Sequence, residues 1–344
     1  MFRLLALLQL TRAALAFTAI ADVWAVLLLR PPTFNAQRGV WEVAALGWHD
    51  FHHLVLKMVI TGVVSVGLYG FGMALNDVLD ARHDRIFAPR RPIPSGRVPV
   101  RQAMVVCLMM VLCSLLAAAL LAPFSAGDSL PWSLLFALAT AFLIVLYDAT
   151  SKYLGGFGLV TLGAIRALHC LIGNPTTPLL FLSMFLLTHV IIVSTVAYVL
   201  ENKRPRLRKH DYVVIVLGIL IGDGLAIWYM WHRKTFDLEL WPLLLGTGIA
   251  AALYVLWAGV VLLNKKLTRR GKGDRIMLLG LFWLFVYDWS MLFSNRQVLA
   301  GVAVVLLFVC AVISFLALRY LGRALGQQRL EYRAAEGGAR RQEA

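Results

Sequence analysis

Long apolar runs separated by short polar segments dominate the hydropathy pattern of this chain. A membrane-spanning helix needs about 20 mostly apolar residues. Ten runs come close to that length, and we predict spans over 8–29, 54–75, 101–122, 131–147, 155–173, 178–200, 211–231, 240–263, 275–293 and 297–320. The pattern therefore predicts an all-α, polytopic membrane helical bundle of nine to ten helices. It forms one domain over residues 1–322, followed by a polar, flexible cytoplasmic tail over residues 323–344.

The composition agrees with a bilayer environment. Hydrophobic residues make up 60% of the chain and charged residues 15%, whereas soluble domains are about 45–50% apolar and about 25% charged. The formal charge of +15 would suggest a nucleic-acid partner in a soluble protein. In a membrane protein, cations at one edge serve topology and phosphate binding, so we expect membrane lipids as partners and no nucleic acid.

The basic residues are distributed unevenly between the two sides of the predicted spans. Of the 33 Lys and Arg, 26 fall in the termini and loops of one side and 6 on the other, and Arg166 is the one that remains inside a span. The positive-inside rule places the richer side in the cytoplasm. We therefore predict an integral protein of a bacterial-type inner membrane, with both termini and the active site facing the cytoplasm.

Acidic and amide side chains crowd the end of the second predicted span. Asn76, Asp80 and Asp84 are spaced by four and should form one polar stripe, with Asp77 about 100° around the helix. Carboxylates held together at a membrane edge repel each other and lose hydration, so a cation should lie there. Mg²⁺ suits this position because it binds carboxylate oxygens and completes its shell with water and phosphate oxygens.

A basic, proline-rich segment follows these acids. Arg90 and Arg91 precede Pro92, Pro94, Ser95 and Gly96, which favour a turn that directs guanidinium and backbone N–H groups at a phosphate. Carboxylates, Mg²⁺ and arginines together describe a diphosphate site. The alternative is a solvated helix end at which the acids pair with Arg82 and Arg85.

The runs NDVLDARHD and RPIPSGR resemble the first signature of the UbiA superfamily of intramembrane prenyltransferases. The resemblance extends over roughly residues 8–200. Three stretches, TRAALAFTAIADVWA, YDATSKY and GAIRALHCLIG, are most similar to the EboC-like branch. The resemblance implies a bundle around a central cavity, and Mg²⁺-dependent transfer of a prenyl group from a polyprenyl diphosphate to a small acceptor. Within the EboC-like branch, that acceptor would be a polyol or cyclitol.

The same resemblance assigns roles to individual residues. Carboxylates and an amide would hold the metal, cations would bind phosphate oxygens, and apolar walls would take the isoprenoid. The implied catalytic residues are Asp80, Asp84, Tyr147 and Lys152; the metal ligands are Asn76, Asp77, Asp80, Asp84 and Glu201; the substrate-binding residues are Arg90, Arg91, Ser95, Lys152, Arg166, Tyr198 and Arg204.

The sequence departs from the family pattern at the end of the sixth predicted span. Glu201 is the one acid there, Pro205 occupies the position four residues later, and Lys203 and Arg204 lie between them. A single acidic motif predicts one well-held metal, with nearby cations replacing the charge of a second. Glu201 is either a metal ligand or a helix-end acid paired with these cations. Asp148 either supplies a further oxygen or caps the turn before Lys152.

Other candidates keep two interpretations each. Tyr147 and Tyr198 either contact phosphate or a carbocation, or belong to the aromatic belt of the membrane interface. Arg166 contacts the acceptor or pairs with Asp22, since a charge inside a span must face a cavity or a partner. The histidines at 49, 52 and 53 have metal-ligand spacing, but their aromatic neighbours favour an interfacial segment.

Two other functions remain compatible with these residues. One keeps an enzyme of the same fold but changes the reaction, either to isoprenoid cyclisation or to phosphoribosyl transfer onto a lipid phosphate. The other is a non-catalytic protein that binds or carries isoprenoid lipids, and the degenerate second motif favours it. The complete first motif favours catalysis, because buried carboxylates without a use are an uncompensated cost.

Overall fold

A computed structural model of the chain describes residues 2–30, 33–35, 40–42, 48–89, 91–124, 130–202, 205–237 and 240–324. The predicted tail lies almost wholly outside these residues. The helices are α1 Phe2–Leu10, α2 Ala13–Leu28, α3 Trp48–Leu79, α4 Ala81–Phe87, α5 Val100–Ala119, α6 Trp132–Ala149, α7 Gly156–Cys170, α8 Phe181–Leu200, α9 Lys209–His232, α10 Trp241–Leu263, α11 Arg269–Ser294 and α12 Val298–Ala324.

Short elements connect these helices. Strands β1 (Thr33–Asn35) and β2 (Val40–Glu42) pair antiparallel, with Phe34 opposite Trp41. They form a small hairpin between α2 and α3 that the all-α prediction did not include. Turns of 3₁₀ helix lie at Ala122–Phe124, Ser151–Tyr153, Leu171–Gly173 and Thr235–Asp237.

Nine helices in the described part of the chain, α3 and α5 to α12, are long and apolar enough to cross a membrane. This confirms the prediction of an integral membrane bundle. Local sequence sets several helix starts. Pro99 and Pro131 directly precede α5 and α6, and Pro242 lies in the first turn of α10, where its missing N–H costs nothing. The Thr268 hydroxyl accepts a hydrogen bond from Gly271 N and caps α11.

The first predicted span is not one helix. It breaks at Thr11 and Arg12, and Arg12 has left-handed backbone angles of φ 46° and ψ 44°. The part after the break, α2, has 16 residues, fewer than the roughly 20 that a span needs. A hydropathy run cannot show this break because the side chains on both sides of Arg12 stay apolar.

Helix α2 lies at the centre of the bundle. It packs against α3, α7, α11 and α12, and most of its side chains are buried, including Ala21, Val23 and Ala25. In contrast, α9, α10 and α12 expose large apolar side chains such as Leu220, Leu263 and Leu306. These outer helices therefore present the lipid-facing surface.

An apolar cavity of about 410 Å³ lies between α2, α3, α5 and α12. Its lining includes Phe17, Val66, Met110 and Leu318, and it begins beside Thr11 at the break before α2. This apolar cavity lies on the side of α2 where α12 passes, and none of the acids of the first predicted motif lines it.

Candidate active site

The acids of the first motif lie where α3 passes into α4. Asp80 interrupts the helix, but the backbone bonds from Asp80 N to Asn76 O (2.9 Å) and from Asp84 N to Asp80 O (2.8 Å) keep the two helices nearly continuous. The acids therefore lie on helical backbone, as the predicted stripe requires, and the chain leaves the helix after Phe87. The side chains of Asp77 and Asp84 are buried, and those of Asn76 and Asp80 are partly exposed.

Arg91 joins two of the acids. Its Nη1 donates to Asp84 Oδ2 at 2.7 Å and to Asp77 Oδ1 at 3.2 Å. The predicted stripe placed Asp84 with Asn76 and Asp80 instead. At about 100° per residue, position 84 falls about 20° from position 77 but about 80° from position 76, so the pairing of Asp77 with Asp84 follows from helix geometry.

Lys152 engages the other two residues of the motif. Its Nζ donates to Asp80 Oδ1 at 2.8 Å and to Asn76 Oδ1 at 3.2 Å. The Tyr153 hydroxyl also donates to Asp80 Oδ1, at 3.3 Å. Burial acts to lower the pKa of Lys152, but the hydrogen bond and charge of Asp80 outweigh burial and raise that pKa above 10.5. Lys152 therefore stays charged throughout the neutral pH range.

The RPIPSGR turn holds Arg91 in place. Val98 N donates to Pro92 O and Gly96 N donates to Ile93 O, both at 3.0 Å, with Gly96 at a φ of +76° that favours glycine. The Ser95 hydroxyl donates to Pro92 O at 3.2 Å and accepts from Arg97 Nε at 3.0 Å. Ser95, predicted to bind substrate, is thus engaged within the turn in this structure.

A second group of side chains approaches the acids from α2 and α6. Asp148 is buried near the end of α6, and Asp77, Asp80, Lys152 and Arg12 all act on it electrostatically. Tyr147 lies within electrostatic range of Asp80, Arg12 and Tyr198. The structure therefore places Tyr147 and Asp148 within electrostatic range of the acids of the first motif.

The residues predicted from the second motif are more dispersed. Glu201 caps the end of α8 and packs against Gly273 at the start of α11. The Tyr198 hydroxyl donates to Pro205 O at 2.7 Å. Arg90 and Arg204 lie outside the described residues.

Two further side chains belong to the site although sequence reasoning did not select them. The left-handed turn at Arg12 brings its guanidinium within range of Asp77 and Asp148. Tyr153 contacts Asp80 directly. A basic residue inside an apolar run was a usable signal for Arg12, whereas nothing in the sequence separates Tyr153 from an ordinary interfacial tyrosine.

Arg166 lies far from these acids along α7. It forms an ion pair with Asp22 of α2, and the buried Asp288 carboxyl group of α11 interacts with Asp22. Of the two interpretations drawn from sequence, the geometry favours the pair with Asp22. The cluster links three central helices.

Replacement of Arg166 by methionine tests this role. Removing one partner of a buried ion pair costs about 3–5 kcal/mol, so we expect Arg166→Met to lower the unfolding temperature in detergent. The double variant Asp22→Asn, Arg166→Met should recover much of that loss, because position 22 then carries no charge that Arg166 would have to balance. A normal unfolding temperature with a raised KM for the acceptor would instead assign Arg166 to substrate binding.

The first motif suits Mg²⁺ in ligand chemistry. It offers carboxylate and amide oxygens, and Asp84 Oδ1 is buried with no hydrogen-bond partner among the described residues. No three acidic, histidine or cysteine side chains of the described chain converge closely enough to enclose a metal alone. That arrangement fits an ion whose shell is completed by phosphate oxygens and water, as is usual for Mg²⁺.

Known proteins match this chain in sequence and in fold. The UbiA prenyltransferase family matches residues 39–286. Digeranylgeranylglyceryl phosphate synthase of Saccharolobus solfataricus is 30% identical over 167 residues, which cover 48% of this chain and 54% of the relative. The synthase of the same name from Sulfolobus acidocaldarius is 26% identical over 201 residues, covering 52% and 67%. The chain thus spans about half the length of the first of these relatives.

The structural comparison agrees with the sequence. A solved structure of digeranylgeranylglyceryl phosphate synthase in membranes has a TM-score of 0.55 at 16% identity, covering 86% of this chain and 99% of that chain. The predicted fold is therefore confirmed. The family match covers well over half of the chain, and its acidic motif lies at the end of a membrane-spanning helix: the chain belongs to the UbiA prenyltransferase family.

Proposed function

We propose that this protein transfers a prenyl group from a polyprenyl diphosphate to a small acceptor within the membrane, in a Mg²⁺-dependent reaction. The observation that carries the proposal is the pairing of Arg91 and Lys152 with the acids of the first motif. Acids and cations at one membrane edge, next to an apolar cavity, match the two ends of an isoprenoid diphosphate.

In this proposal, Asn76, Asp77, Asp80 and Asp84 hold the metal, and Asp148 takes the place of the acids that the second motif lacks. Mg²⁺ would neutralise the negative charge that grows on the leaving diphosphate. We therefore expect these residues to hold one metal ion. Glu201 is not included among the ligands, because it packs against Gly273 of α11.

Arg91 and Lys152 have a direct part in the reaction. Each already holds its guanidinium or ammonium group beside the site, so each can donate to phosphate oxygens without a large movement. As the C–O bond of the donor breaks, these donors stabilise the diphosphate more than they stabilise the intact ester, which is the interaction that lowers the barrier. Arg12 would be a third cation, since its charge acts on Asp77 and Asp148.

The cavity between α2, α3, α5 and α12 would take the isoprenoid chain. Its walls are mainly apolar, so they offer no hydrogen bonds to water and protect an allylic cation from hydrolysis. The acceptor's nucleophilic atom bonds to the prenyl carbon, diphosphate leaves, and the acceptor's proton is released. Tyr147, partly exposed near Asp80, would face the developing cation.

The acceptor is a small hydroxyl-bearing molecule in this proposal. The named relatives, by their names, make digeranylgeranylglyceryl phosphate, and the resemblance to the EboC-like branch favours a polyol or cyclitol. Hydroxyl groups are common to both. The excess of Lys and Arg at the cytoplasmic loops supports an active site and termini on the cytoplasmic face.

The function is tested with purified protein in detergent, Mg²⁺ and radiolabelled geranyl diphosphate. We expect pyrophosphate release that depends on both Mg²⁺ and a hydroxylated acceptor, with a product whose mass is the sum of acceptor and prenyl group less one hydrogen. A hydrocarbon product whose mass is that of the donor less diphosphoric acid, formed without the acceptor, would indicate cyclisation. Tight binding of geranyl diphosphate without release of pyrophosphate, whichever acceptor is added, would indicate a non-catalytic carrier.

A further inference from the structure

The first turn of α7 is packed unusually closely against two other segments. A Cβ on Gly156 would lie 2.3 Å from the backbone oxygen of Asp211. A Cβ on Gly158 would lie 2.4 Å from Ser151 O and 3.0 Å from Lys152 Cα. Only glycine permits both approaches, so the GGFG run fixes α7 between the start of α9 and the turn that carries Lys152.

Asp211 of α9 holds the first turn of α7 in this position through hydrogen bonds. Its carboxylate is buried, with Oδ1 accepting from Gly156 N at 2.9 Å and Oδ2 accepting from Arg208 N at 2.7 Å. Both oxygens are therefore used, one at the N-terminus of α7 and the other at that of α9. Carboxylates are favoured at both places because of the exposed N–H groups and the helix dipole.

The turn that packs against Gly158 carries two residues of the proposed diphosphate site. The 3₁₀ turn Ser151–Tyr153 precedes α7, and Leu154 N donates to Ser151 O at 2.9 Å. Lys152 Nζ then reaches Asp80 at 2.8 Å, and Tyr153 reaches the same oxygen at 3.3 Å. A shift of this turn would move both donors away from Asp80 together.

We infer that Asp211 is a positioning residue: by holding the first turn of α7 against the Ser151–Tyr153 turn, it fixes Lys152 beside Asp80. Asp211 acts through Lys152 and touches no reacting atom. The inference rests on the proposed function only in so far as Lys152 binds the diphosphate.

A double-mutant cycle tests the inference, with binding of geranyl diphosphate and Mg²⁺ to full-length protein measured by calorimetry. We expect Asp211→Asn to weaken binding about tenfold, equivalent to about 1.4 kcal/mol, and Asp211→Ala to weaken it further, because asparagine keeps one acceptor oxygen. The variant Asp211→Asn, Lys152→Met should bind no more weakly than Lys152→Met alone. Additive losses would overturn the inference.

The control is Asp223→Asn, on the same helix. Asp223 accepts a hydrogen bond from the Thr188 hydroxyl at 2.9 Å and so joins α9 to α8 without touching the Lys152 turn. We expect this variant to bind geranyl diphosphate normally. An equal loss in Asp223→Asn would mean that any weakened α9 contact lowers affinity, which would refute a specific role for Asp211.

A second measurement does not depend on the proposed function. The rate of Lys152 acylation by an amine-reactive ester, followed by peptide mass spectrometry, should rise several-fold in Asp211→Asn because the ammonium group leaves Asp80. Gly158→Ala should act in the same direction and provides a second variant. Gly163→Ala is its control, since that Cβ would crowd Ile191 on α8 at 2.5 Å and leave the turn alone.

The two measurements separate the possible failures. If wild-type protein binds no geranyl diphosphate, the proposed function fails, and the acylation rates still decide the role of Asp211. If wild-type protein binds the diphosphate but Lys152 reacts at the same rate in Asp211→Asn and Gly158→Ala as in wild type, the positioning role is wrong.

Discussion

Replacing Asp80 by alanine is expected to lower Mg²⁺-dependent pyrophosphate release from geranyl diphosphate by about 100- to 1,000-fold, the range found when a preorganised charge-stabilising group is removed. Asp80 supplies a candidate metal oxygen and also anchors Lys152 and Tyr153 through one oxygen. The substitution therefore removes a ligand and releases two donors. Steady-state kinetics with purified protein give the magnitude.

The control for this variant is Asp274→Ala. Asp274 is an exposed acid near the start of α11, so its loss changes the net charge equally without touching the motif. We expect turnover within about twofold of wild type. If Asp80→Ala retained most of the activity, the acids of the first motif would have no part in catalysis.

Replacing Arg91 by methionine should cause the second large effect, on stability. Arg91 is the cation hydrogen-bonded to both Asp77 and Asp84, and its loss leaves two buried carboxylates without that partner. Breaking such a buried pair costs about 3–5 kcal/mol. Unfolding of the variant in detergent should therefore occur at a lower temperature or denaturant concentration than that of wild type.

Addition of Mg²⁺ with inorganic pyrophosphate should restore much of the stability of Arg91→Met, because the metal supplies the missing positive charge and a ligand that binds the folded state stabilises it. Arg82→Met, which removes an exposed arginine of α4, should behave as wild type. A loss in Arg91→Met that Mg²⁺ and pyrophosphate leave unchanged would argue against metal binding at Asp77 and Asp84.

Residue types and spacing predicted much of the candidate site. The acids of NDVLDARHD had to be near cations, and the family resemblance implied Arg91 and Lys152 as the phosphate ligands. Their pairing with particular acids could not be predicted. It depends on the small interruption at Asp80 and on the approach of the Lys152 turn from another helix, and both are tertiary features.

The membrane bundle could also be predicted largely from hydropathy, because a run of about 20 apolar residues forms few structures other than a spanning helix. The break at Arg12 could not be predicted from hydropathy. A left-handed arginine is locally unfavourable, and tertiary contacts must hold it there. Similarly, the glycines of GGFG signalled close packing, but the sequence could not show that Asp211, more than 50 residues later, lies against them.

The central position of α2 has a consequence for biogenesis. Ribosomes make α2 before α7, α11 and α12, the helices that enclose it. During translation, Asp22 has no ion-pair partner until Arg166 is made, more than 140 residues later. The membrane insertion of α2 is therefore not stabilised by its packing partners until α11 and α12 have been made. Truncation before α11 should leave an amino-terminal helix that slips out of the membrane or is degraded.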